Sequence, residues 1–124
     1  MKTSPTLLVV VDNLFIATQI AASAKMVGVM ANVVRSTHAA ASCRELRPKL
    51  VLVDLEAAPD IVAVIAELRS MIEPGVGHLI GFYPHVRTEL REAALAAGLD
   101  QAWPRSALQT RLTGLLRSAA ASAP

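Results

Sequence analysis

The chain has little sulfur, few aromatics and no concentrated charge. Cys43 is its one cysteine in 124 residues. A lone thiol excludes an internal disulfide and a multi-cysteine metal site, which leaves a small apolar side chain within a helix as its simplest role. Aromatics amount to two Phe, one Tyr and one Trp, so the core must pack aliphatic strands against small helix faces. No apolar run reaches transmembrane length. Met1–Thr6 is short and polar, with no signal-peptide pattern, so no membrane association and a cytoplasmic setting are expected. Twelve basic and ten acidic residues give a net charge of +2 with no block of one sign, so no direct nucleic-acid contact is expected. There is no glycine-rich loop after the first apolar run, which ends in VVDNLF, and no G-x-S-x-G motif. His38, His78 and His85 are scattered without metal-ligand spacing. An enzyme is not expected.

What is present is a regular alternation. Apolar residues make up 53% of the chain and charged residues 18%, a globular composition with enough length for one core. Thr6–Val11 is a continuous β-branched and Leu run, the signature of a strand buried on both faces. Ile16, Ile20, Ala24 and Val27 follow at helical spacing, and Gly28 closes that helix. Met30–Val34 is a second strand. Ser36 or Thr37 is the candidate cap of a short helix through Leu46, with Pro48 beyond it.

Leu50–Asp54 is the third strand, and Pro59 suits a helix start. Ile61, Val64, Ile65, Leu68 and Ile72 form the next apolar stripe. Glu73–Gly77 reads as a loop, and His78–Phe82 as a fourth strand. Pro84 opens a fourth helix with Val86, Leu90, Ala94 and Ala97 on one face. Leu99–Trp103 is a weak fifth strand. Ser106 caps a fifth helix whose buried face is Leu108, Leu112, Leu115 and Leu116.

Five βα units predict a parallel sheet covered on both faces, because each parallel crossover needs a helix. Length and crossover handedness favour a flavodoxin-like three-layer sandwich with strand order 2-1-3-4-5, two helices on one face and three on the other. Residues 1–118 form the domain, and 119–124 a flexible tail or the start of a linker.

In such sheets ligands bind at the carboxyl ends of the strands, where the order reverses. Asp12 follows the first strand and Asp54 ends the third, and these strands are neighbours. Two carboxylates held close repel unless a cation or proton lies between them, and a hard divalent ion fits. Glu56 offers a third acid. The alternatives are that Asp54 caps local backbone amides, Asp12 is an N-cap and Glu56 is a solvated loop acid.

The five βα units, VVVDN after the first strand, VLVDLE at the end of the third, and Pro104 after the fifth together resemble the receiver domains of bacterial two-component response regulators. The resemblance spans about Thr6 to Leu116. It implies that Asp54 stands at the position that accepts a phosphoryl group from a histidine kinase, with Mg2+ offsetting charge. It implies a cis Trp103–Pro104 bond, and a protein partner or a second copy on the face of the fourth helix, fifth strand and fifth helix.

The departures are specific. One of the two acids that the family carries after strand one is missing, and Val11–Asp12 is the preferred match for the pair. Phe82 and Tyr83 stand where a Ser or Thr hydroxyl ends strand four. Trp103 stands where a Lys precedes the proline. Lys2, Lys25 and Lys49 lie far from that place. Arg105, one residue beyond the proline, is near enough to reach the site, although its chain leaves in another direction. The aromatic switch residue of strand five falls near Asp100 or Gln101. Trp103 and Tyr83 either plug the vacant pocket together or fill core. Leu14 and Phe15, opening the first helix, form either a contact surface near the site or a hydrophobic staple.

These features predict a signalling protein-interaction module, a receiver acting largely without phosphorylation switching. Arg87, Arg91 and Arg111 lie on its contact face, and the cofactor is none, or weak Mg2+ at Asp12, Asp54 and Glu56. The alternative is a conventional single-domain receiver phosphorylated at Asp54 by a histidine kinase.

Overall fold

The computed structural model describes residues 6–72 and 77–121. Five strands, β1 (Thr6–Val10), β2 (Met30–Val34), β3 (Leu50–Asp54), β4 (His78–Tyr83) and β5 (Gln101–Pro104), form one sheet in the order β2-β1-β3-β4-β5. Every pairing is parallel. The helices are α1 (Leu14–Met26), α2 (Ala39–Leu46), α3 (Ile61–Met71), α4 (Thr88–Ala97) and α5 (Arg105–Ala121). A three-residue 3-10 turn, Ser36–His38, precedes α2.

The two sides of the sheet carry two cores. Leu7, Val9, Leu50, Leu52, Ile80 and Phe82 pack with Ile16, Ile20 and Ala24 of α1 and Leu108, Leu112 and Leu116 of α5. Leu8, Val10, Val51, Val53 and Leu79 pack with Cys43 of α2, Ile61, Ile65 and Leu68 of α3, and Ala94 of α4. Alternate residues of each strand feed opposite cores, which is why these strands read as unbroken apolar runs. The expected fold, with its two-and-three division of helices, is the one observed.

Several boundaries differ from expectation, each for a local reason. The N–H of Arg87 donates to the Pro84 carbonyl at 2.8 Å, so Pro84 opens a turn and α4 begins at Thr88. Val86 lies in that turn, 72% exposed, rather than on the buried face of the helix. β5 begins two residues late because Asp100 binds β4 through its N–H to the Leu79 carbonyl and its carboxylate to the Leu79 N–H. Ser106 lies inside α5, which starts at Arg105.

The Trp103–Pro104 bond is trans, contrary to expectation. Pro104 is the last residue of an edge strand and α5 starts at the next residue, so there is no tight turn for a cis bond to serve. Helix α5 continues to Ala121, beyond the expected domain end at 118. Residues 122–124, and residues 73–76 of the predicted loop, lie outside the described residues.

Candidate functional site

The carboxyl ends of β1, β3, β4 and β5 converge on Asp54, which is 4% exposed and is the sole charged side chain buried among the described residues. Its Oδ1 accepts the Glu56 N–H at 2.9 Å, and the Ala57 N–H donates to its carbonyl at 2.9 Å. Asp54 therefore does turn the chain after β3, as the capping alternative held. Burial pushes its carboxyl above the ordinary range. The Glu56 N–H and the Arg105 guanidinium oppose that rise, while the charges of Glu56 and Asp12 add to it.

Of the two paths the sequence leaves open for Arg105, the one that reaches the site is observed. Its side chain turns back over the strand ends, placing Nη2 at 3.7 Å from Asp54 Oδ1 and 3.2 Å from Glu56 Oε1. The other Glu56 oxygen, Oε2, lies 3.4 Å from Nη1 of Arg87 in the β4–α4 connection. Arg87 also donates through Nε to Glu89. Glu56 is thus no free solvated acid but the bridge between two guanidinium groups from two other loops. Arg87 is correspondingly not a free contact residue. This clamp had a signal in the sequence: an acid after the third strand, and arginines after the fourth and fifth, on strands adjacent in the predicted order.

Asp12 is exposed, and its Oδ1 accepts the Ser36 N–H at 3.0 Å. It caps the 3-10 turn across the β1–β2 edge, while Asn13 caps α1 by accepting from the N–H groups of Phe15 and Ile16. One acid thus binds backbone and another binds two cations. Among the described residues no group of three His, Cys, Asp or Glu side chains is placed to hold a metal ion. The three acids singled out in the sequence do not converge as one donor set of three side chains.

Across the sheet Asp54 pairs with Phe82, and Phe82 with Trp103. Paired residues of neighbouring strands share a face. Phe82 is fully buried and Trp103 is 3% exposed, so the row beside Asp54 is aromatic where a hydroxyl and an ammonium were missed. The indole N–H donates to Gln101 Oε1 at 2.9 Å, and Arg111 lies 6.0 Å over the ring. Tyr83 packs into the opposite core, with α2, α3 and α4. Trp103 and Tyr83 do not form a joint plug; Phe82 is Trp103's partner. Leu14 and Phe15 are 81% and 71% exposed, so both face solvent beside the site and neither staples the first turn.

No family model and no curated protein matches the chain by sequence. Solved structures do match. The receiver domain of a sensor histidine kinase from Pseudomonas aeruginosa, with magnesium coordinated in its active-site cleft, is 23% identical, with TM-score 0.79, over 97% of this chain and 100% of that one. A response regulator from Thermotoga maritima is 16% identical, with TM-score 0.77, over 97% and 100%. The receiver domain of NtrX from Brucella abortus is 20% identical, with TM-score 0.77, over 94% and 99%. The strand order, the division of helices and these likenesses together establish that the chain has the fold of response regulator receiver domains.

Proposed function

We propose that this domain is a non-enzymatic signalling module of the cytoplasm that presents one resting shape to a protein partner or a second copy, without phosphorylation operating a switch. The observation that carries the reading is the row Asp54, Phe82, Trp103. A ligand shifts an equilibrium only by its differential affinity for the two states. A phosphoryl group on Asp54 would find buried aromatic rings beside it, with no short hydroxyl from β4 and no ammonium before Pro104 to draw inward.

The contact face we propose is α4, β5 and α5, with Arg91 exposed and Arg111 over the Trp103 ring. No helix among the described residues is long and apolar enough to cross a membrane. The test is partner binding, measured by titration calorimetry against a protein captured with the wild-type domain. Binding should persist in Asp54→Ala and be lost in Arg91→Glu. Loss in Asp54→Ala with the fold intact would overturn the reading.

One observation favours a second reading, phosphoryl acceptance at Asp54 from a histidine kinase. Arg105, at 3.7 Å, supplies a cation beside the carboxylate although the lysine is missing. Under that reading Asp54 is the nucleophile and Arg105 balances charge on the incoming group.

A further inference from the structure

A cavity of about 500 Å3 lies between the C-terminal ends of α2 and α3, where the chain enters β3 and β4. Small-molecule sites run from roughly 300 to 1,000 Å3. Asp54 is at the other end of β3, and the four residue steps from Leu50 to Asp54 cover about 13 Å. The cavity shares no residue with the site at Asp54.

Its lining divides by chemistry. Cys43, Pro48 and Ile72 are buried and Met71 is half-buried, which makes one wall apolar. Burial holds the Cys43 thiol above its ordinary range, against the pull of the Arg44 charge, so that wall is also neutral. A Cβ at Gly77 would lie 2.8 Å from Cγ2 of Ile72, so any larger residue there would displace the wall. Arg44, Arg47 and Lys49 line the same cavity and are exposed, and no carboxylate lines it. None of the three cations enters an ion pair among the described residues. The Cys43, Lys49 and Ile72 carbonyls are already taken, by the Arg47 N–H at 2.9 Å, the His78 N–H at 2.8 Å and Arg69 Nη2 at 3.0 Å. Guanidinium and ammonium groups donate and never accept. The side chains therefore offer donors, positive charge and apolar surface together.

Arg47 sits where its charge is expensive to keep. It closes α2 at φ +47 and ψ +57, the one positive φ outside glycine among the described residues. Glycine closes a helix this way without steric cost. Cations at the end of α2 also complement its dipole, but that effect fades within the last turn and does not extend to Lys49 on the way into β3.

We infer that this cavity binds a small amphiphilic anion, with Arg44, Arg47 and Lys49 taking its charged head and Cys43, Met71 and Ile72 taking its apolar body. The occupant is a free small molecule, and charge complementarity identifies it: three cations and no acid beside a neutral apolar wall. This goes beyond the proposed partner function and uses none of the residues that carry it.

The test is a titration of the full chain with octanoate below its micellar range, at constant ionic strength. Binding is followed by the Met71 methyl resonance and the Cys43 and Lys49 amides. Octanoate should shift all three saturably. Octanol has the body without the charge and acetate the charge without the body. Each should bind at least about tenfold more weakly, since one charge-assisted bond or a few buried methylenes is worth that much. The triple variant Arg44→Gln, Arg47→Gly, Lys49→Gln should lose octanoate by a similar factor or more. Arg47→Gly alone should weaken octanoate while unfolding at the same temperature as wild type or higher, because the strained backbone is relieved. A cation kept only to stabilise the helix end would instead lower that temperature and leave binding unmoved. The inference is overturned if octanol binds as well as octanoate, or if the triple variant binds as wild type does. It is equally overturned if anionic phospholipid vesicles shift these resonances and free octanoate does not. The octanol and acetate arms use the wild-type chain, so they decide the matter even if a variant fails to fold.

Discussion

The two poles of the sheet are each tied together by arginine, and they differ in burial. At the amino-terminal end of β4 and β5, Arg69 is 19% exposed. Its Nη1 donates to the Gly98 carbonyl and to Asp100 Oδ1, both at 3.0 Å, and its Nη2 to the Ile72 carbonyl at 3.0 Å. Gly98 has φ +127, and a Cβ there would lie 2.7 Å from Cγ of Arg69. The stem and the backbone are fitted to each other. At the opposite pole Arg87 and Arg105 hold a half-exposed glutamate at longer range. The chemistry is the same, but a part-buried guanidinium bonded to carbonyls is a permanent staple, while solvated ion pairs are screened and exchangeable. Asp54, at the carboxyl ends of the strands, lies at the exchangeable pole.

The contrast breaks most visibly at the staple. Arg69→Met should cost about 2–3 kcal/mol in urea unfolding, because it deprives Asp100 and two carbonyls of a charged donor. Gly98→Ala should cost about 1–3 kcal/mol, from the positive φ together with the clash against Arg69.

Asp54→Asn should have the opposite sign. Burial raises the folded carboxyl above its unfolded value, so between those two values the folded state binds more protons and stability falls as pH rises. The charged form is therefore a cost at neutral pH. Asn keeps the acceptor for the Glu56 N–H and removes the charge. Thermal unfolding across pH should show the variant more stable at neutral pH, with the advantage fading as pH falls through the raised value. A variant less stable than wild type at neutral pH would mean that Arg105 outweighs burial. Glu56→Gln should be the smallest of these effects, moving Tm by no more than about 3 °C and less at high salt.

The fold was legible because it rests on period and length. Strands such as β3 are unbroken apolar runs, Leu50 to Val53 before Asp54, and Pro and Gly punctuate the chain where turns occur. Where proline chemistry was ambiguous the boundary slipped: Pro84 suits a helix start and a turn start equally, and the carbonyl it offers Arg87 decided for the turn. The site was legible in which residues the strand order brings near it and not in the contacts they make. Asp54 stands where strand-end reasoning put it. The path of the Arg105 side chain depends on which rotamer meets Glu56 across three strands, and no local pattern encodes that. The same holds for Asp12, whose partner, Ser36, is 24 residues away.

The central claim, that phosphate is not what sets the shape of this domain, is tested most directly by incubation with a small phosphodonor and Mg2+, read by intact mass and by the amide spectrum of the same sample. The expected result is an unchanged spectrum for the β4–α4 and β5–α5 connections, whether or not mass is gained. A gain of one phosphoryl group that is absent in Asp54→Ala, together with displaced resonances at Tyr83–Arg87 and Trp103–Arg105, would contradict it.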